Sequence, residues 1–150
     1  PNTPTFYNNK YVKDNVKMPV SQGERIFGRW EYVNYFLGNS VQVIQPDIGN
    51  AGGITETKKL CDMAYVFDVG VQVHTCASHL LTPPSVQLEA CIPNFVIHEQ
   101  HMRSLNPANQ ELTTKVVLPK NGYLTVEDDI GLGIEWSEKA LASEEQIILK

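Results

Sequence analysis

Four residues carry the chemistry this sequence offers: Glu24, Asp47, His74 and Glu99, separated by 23, 27 and 25 residues. Each follows a short apolar or β-branched run, and each interval is close to the length of one strand-plus-helix unit. Three carboxylates and one imidazole gathered at one place would suit a hard cation together with an acid/base pair. Carboxylate oxygens are the ligands such cations prefer, and a neutral imidazole takes up a proton near pH 7. An aspartate beside the histidine would orient the ring and favour its protonated form once the proton has arrived. Taken singly, each residue has a plainer reading: an acid after a strand is commonly a loop residue or helix cap, and a strand-end histidine a hydrogen-bonded structural one. Their common register is what joins them, and it does not choose among reactions.

The elements that would bring them together follow from the patterning. SVQVIQPD reads as a strand through Val41, Val43 and Ile44 that ends at a Pro-Asp-Ile-Gly loop. ITETKKLCDMAYVF places Ile54, Leu60, Met63, Ala64 and Phe67 on one helical face, starting at Thr55 or Gly53 and closing at Asp68. In DVGVQVHT, Val69, Val71 and Val73 alternate strictly before His74. SVQLEAC after Pro83-Pro84 predicts a short helix and NFVIHEQ another strand. Upstream, KMPVSQGE predicts a strand and RWEYVNYFL a helix stopped by Gly38, with Trp30, Tyr32, Tyr35 and Phe36 packing it down. Such alternation from about Lys17 to Gln100 is the signature of parallel β/α units. In that architecture the C-terminal strand ends open on one face, where active sites are built. The residues before Asn15 admit a helix. From His101 onward NPANQ, PKNG and DDIGLG make a polar, turn-rich tail with room for one hairpin. The division predicted is therefore 1–100 for the β/α units and 101–150 for the tail.

Composition narrows the class. The chain has 150 residues, 42% hydrophobic and 19% charged, with a formal net charge of -5. No basic stripe offers nucleic acid a footprint, and no apolar run has the length of a membrane span. Cys61, Cys76 and Cys91 form no CxxC pair, which points to free thiols in a reducing, cytoplasmic compartment. GNAGG at 49–53 lacks the Lys-Ser/Thr of a phosphate loop and reads as a strand-to-helix turn, although a small α/β domain holding a phosphorylated ligand there is the alternative outside enzymes. His79, His98 and His101 suggest zinc only superficially. His98 and Glu99 are neighbours, so on a strand they face opposite ways and only one of them can point inward.

The strings GERIFGRWEY, QPDIGNAGGITE, VQVHTCAS and IPNFVIHEQ, in this order and spacing, resemble the mandelate-racemase branch of the enolase superfamily. Within that branch they are most similar to acid-sugar dehydratases of the galactonate and gluconate type. The likeness runs from about Pro19 to Gln100, and NGYLTVEDDIGLGIE extends it to about Glu135. The resemblance implies an α/β fold: the later strands of a modified (β/α) TIM-type barrel, plus a C-terminal tail packed on a capping domain that this chain does not contain. It implies Mg2+ as cofactor with Glu24 as one ligand, His74 as the base of a dyad with Asp47, and Glu99 at the substrate carboxylate or its enolate. His101, just past the same strand, is a further candidate substrate contact. A small sugar acid would be the substrate, a homo-oligomer the assembly, and dehydration to a 2-keto-3-deoxy acid the reaction. Racemisation, epimerisation or diacid-sugar dehydration are the neighbouring chemistries. Family spacing puts two further metal ligands before Pro1, so these 150 residues alone are expected to be inactive. The sequence departs from many relatives in the loop TCASHLLTPP, which bears on substrate fit, and in Ile130 before GLG.

Overall fold

A computed structural model describes residues 6–143. In chain order the elements are α1 (Phe6–Asn15), β1 (Ser21–Gln22), α2 (Gly28–Leu37), β2 (Val43–Ile44), α3 (Gly53–Val66), β3 (Gly70–Val71), α4 (Thr82–Ala90), α5 (Pro107–Gln110) and α6 (Glu138–Ser143). Short 3-10 turns lie at His79–Leu81 and Met102–Leu105. The strands form one parallel sheet in the order β1-β2-β3, with Ser21 beside Val43 and Val43 beside Gly70. The protein is thus an α/β fold with parallel strands, each crossover made by a helix.

Alternation of side chains buries Val69, Val71 and Val73 together. They meet Val41, Ile44 of β2, and Leu60, Cys61 and Ala64 of α3 in one apolar cluster. The buried side of α3 is Thr57, Leu60, Cys61 and Ala64, a stripe rotated from the expected one. Ile54 near the start of α3 and Phe67 just past its end stay 42% and 39% exposed, Phe67 stacking on Phe36 at 5.4 Å. On α2, Tyr32, Tyr35 and Phe36 are buried, whereas Trp30 is 75% exposed and carries the Arg29 guanidinium 5.1 Å above its ring. Trp30 therefore does not help pack the helix: it lies on the solvent side of a helix whose buried side is one stripe.

Helix ends follow local chemistry. Phe27 has no side chain able to cap α2, and Glu31 reaches back to accept from its N–H at 2.9 Å. Gly38 ends the helix as expected, but it stays right-handed at φ -77°; Asn39 takes the left-handed turn at φ 46°. NFVIHEQ differs from expectation. Instead of a strand it makes one parallel bridge, Val71 beside Phe95, while Phe95, Val96 and Ile97 remain 44–59% exposed. The expected hairpin is present at Lys120 and Tyr123, whose backbones exchange both bonds across Asn121-Gly122 at φ 53° and 82°, the geometry an Asn-Gly turn favours.

Two compact units are distinguished: Pro1–His74 with Gln87–Glu99, and Thr75–Val86 with Gln100–Lys150. The sheet and its core belong to the first. In the second, the His79 ring is buried and bonds the Ser104 carbonyl through Nε2 at 2.8 Å. An isolated antiparallel bridge there joins Thr113 and Trp136.

Candidate active site at the strand ends

The parallel ladder fixes how Asp47 and His74 meet. Gln72 N–H donates to Ile44 O and His74 N–H to Pro46 O, both at 3.0 Å, carrying the pairing past the ends of β2 and β3. Asp47 and His74 then face each other as an isolated parallel bridge. Their side chains complete what the backbone began: His74 Nδ1 lies 2.7 Å from Asp47 Oδ2. Asp47 is buried at 4% exposure, a costly position for a carboxylate unless its oxygens are bonded. They are. Oδ1 accepts from Gly49 N–H at 2.7 Å and Asn50 N–H at 3.1 Å, leaving Oδ2 for the imidazole.

Glu24 follows β1 and approaches the other side of the ring, its Oε2 3.0 Å from His74 Nε2. Its side chain is half exposed, and the still more exposed Arg25 lies 3.4 Å from Oε1. The imidazole therefore sits between a buried carboxylate on Nδ1 and a solvent-reaching one on Nε2. With Asp47 accepting from Nδ1–H, the 3.0 Å approach of Glu24 to Nε2 is a hydrogen bond only when Nε2 also carries a proton; without it Nε2 is a lone pair beside the Glu24 carboxylate. A proton taken there makes an imidazolium with one carboxylate acceptor on each nitrogen.

Three of the four residues expected at strand ends thus converge, and the fourth, Glu99, follows a segment that is not a strand. Glu99 lies partly exposed at the end of the segment paired through Phe95. His101 belongs to the second unit, where its ring accepts from Arg103 N–H at 3.0 Å and caps the turn Met102–Leu105. Among the described residues no group of three or more His, Cys, Asp and Glu side chains is placed to hold a metal ion. Mg2+ takes six oxygens, so the described residues do not build its site by themselves; Glu24 offers one carboxylate.

One residue of this neighbourhood escaped the pattern of strand ends. Glu89, 5% exposed, accepts from His98 Nδ1 at 2.6 Å. The signal for Glu89 is an acid on the helix α4 beside the buried Leu88. The GNAGG loop is occupied internally: the amides of Gly49, Asn50, Ala51 and Gly53 all donate to Asp47 or Ile48, which leaves them unavailable to a phosphate.

Known proteins are similar to this chain in sequence, and solved structures are similar to it in fold. The chain is 30% identical over 133 residues to D-galactonate dehydratase of Xanthomonas axonopodis pv. citri, covering 85% of this chain and 35% of that protein. It is 29% identical over 125 residues to D-xylonate dehydratase of Haloferax volcanii, covering 83% and 30%. A crystal structure of an enolase-superfamily member from Salmonella Typhimurium superposes with a TM-score of 0.92 at 42% identity, covering 96% of this chain and 37% of that one. The chain spans about a third of the length of these relatives. Residues 4–140 match the family described as enolase C-terminal domain-like. This chain belongs to that family, within the enolase superfamily.

Proposed function

We propose that the chain is the base-bearing part of an acid-sugar dehydratase, acting on a galactonate-, gluconate- or xylonate-like acid. The observation that carries this reading is the 2.7 Å contact between the His74 ring and the buried Asp47 carboxylate at adjacent parallel strand ends. Similarity to two proteins named as sugar-acid dehydratases supports it. His74 Nε2 removes the C2 proton beside the substrate carboxylate, and Asp47 stabilises the resulting imidazolium. The imidazolium returns that proton to the 3-hydroxyl as the C3–O bond breaks, water leaves, and the remaining enol becomes the 2-keto-3-deoxy acid. Glu99 is assigned to the substrate carboxylate or enolate and His101 to substrate contact. Mg2+ is the proposed cofactor of the whole protein, with Glu24 giving one oxygen. A homo-oligomer is the proposed assembly.

The test uses the full-length protein with Mg2+ and a panel of sugar acids in 2H2O, following C2 deuterium exchange and 2-keto acid formation. His74→Asn should slow both by at least about a hundredfold at unchanged fold. Exchange at the wild-type rate in that variant would show that another group is the base. Inversion at C2 without loss of water would move the reading to a racemase or epimerase.

A further inference from the structure

The pairing between β3 and the segment after it stops abruptly. Val71 N–H donates to Asn94 O at 2.8 Å and Val96 N–H to Val71 O at 2.9 Å, the two bonds of one parallel pair. The next rung would run from Val73 N–H to the Val96 carbonyl. A side chain takes its place: Val73 N–H donates to Glu89 Oε1 at 3.3 Å. The second oxygen of the same carboxylate accepts from His98 Nδ1 at 2.6 Å. The Glu89 and His98 side chains are 4% and 13% exposed, and Val73 is wholly buried. One carboxylate on α4 therefore spans the gap where the ladder fails, holding one chain by its backbone and the other by its side chain.

The residues it holds are the ones that precede the site. Val73 adjoins His74, and His98 adjoins Glu99. We infer that Glu89 is a positioning residue, whose carboxylate fixes the chain immediately before His74 and before Glu99 and so sets the separation of these two groups. A join serving only packing would be made at lower cost by continuing the ladder, because a buried carboxylate must recover its desolvation through its bonds. In its catalytic consequence the inference rests on the proposed roles of His74 and Glu99; in its structural part it does not.

The experiment compares Glu89→Gln, His98→Ala and His98→Gln in the full-length chain. Glu89→Gln keeps size and one acceptor oxygen, while His98→Gln keeps an N–H donor for Glu89. Hydrogen exchange by mass spectrometry reads peptides covering 70–76 and 94–100, and C2 deuterium exchange is resolved into kcat and KM. Glu89→Gln and His98→Ala should speed amide exchange in those two peptides alone and lower kcat about tenfold, with KM within about twofold. His98→Gln should restore both readouts. Unchanged kcat per folded molecule in Glu89→Gln would overturn the positioning role, and so would protection lost uniformly across α2 and α3. If wild-type protein acts on no sugar acid, the proposed function fails. Amide exchange then decides by itself whether Glu89 fixes both segments.

Discussion

At the scale of single residues, Asp47 does two things with two oxygens. Oδ1 holds the turn through Gly49 and Asn50, and Oδ2 holds the ring of His74. The two uses separate by substitution. Asp47→Asn keeps an oxygen for the turn but presents an amide to His74 Nδ1, so the ring loses its anionic acceptor. Turnover in the full-length protein should fall by about a hundredfold or more, with the thermal midpoint moving only a few degrees. Asp47→Ala should lose the turn bonds as well and cost about 1–3 kcal/mol of stability, measurable by urea unfolding. The thiols make a contrast. Burial pushes Cys61 up to about 12, so it is a packing residue without nucleophilic character at neutral pH.

At the scale of elements, the end of β1 is set by a close approach. The Gly23 carbonyl accepts from the Tyr32 hydroxyl at 2.8 Å, and a Cβ at Gly23 would lie 2.7 Å from the Gln45 backbone nitrogen. That nitrogen is tied to Gln22 O in the ladder and cannot move aside without opening the sheet. Gly23→Ala should therefore cost about 2 kcal/mol or more and displace Glu24, read as a lowered urea midpoint and a changed environment at His74. The two helices on this sheet are joined by Arg29 Nε and Glu56 Oε1 at 2.7 Å. The guanidinium holds the Glu56 carboxyl below its usual 4.5. A carboxyl depressed in the native state adds stability above its unfolded value and loses it as pH falls through the native one. The stability difference between wild type and Glu56→Gln should thus be present at pH 7 and shrink on acidification below about 4.5, as unfolding midpoints at both pH values will report.

At the scale of the molecule, the apolar cluster from Ile26 to Ile92 lies wholly in the unit formed by Pro1–His74 and Gln87–Glu99. Among the described residues the second unit buries few large apolar groups, Val86 and Ile134 being two, and its buried His79 bonds the Ser104 carbonyl. Local opening should follow that difference. Amides of Val71, Gln72 and His74 should exchange at least about a hundredfold more slowly than those of Lys120 and Tyr123, whose bonds lie in an exposed turn. Among the described residues no helix is long and apolar enough to cross a membrane.

Much of this was legible in the sequence because it is periodic. The alternation of Val69, Val71 and Val73 determined a strand with one buried face, and the interval from Asp47 to His74 determined that both would stand at strand ends. Their 2.7 Å contact then follows from parallel pairing in register. Other features have no local signature. The Val73 amide, where the pairing of NFVIHEQ stops after a single bridge, donates to Glu89, a contact between residues 16 apart that no periodicity encodes. The exposure of Trp30 and the rotated stripe of α3 depend on where each helix axis comes to rest over the sheet. Likewise, Glu24 reaching His74 is a matter of strand order, β1 beside β2 beside β3. Sequence determined which residues stand at the ends of elements, since backbone periodicity is local; only tertiary packing decided which of those ends touch.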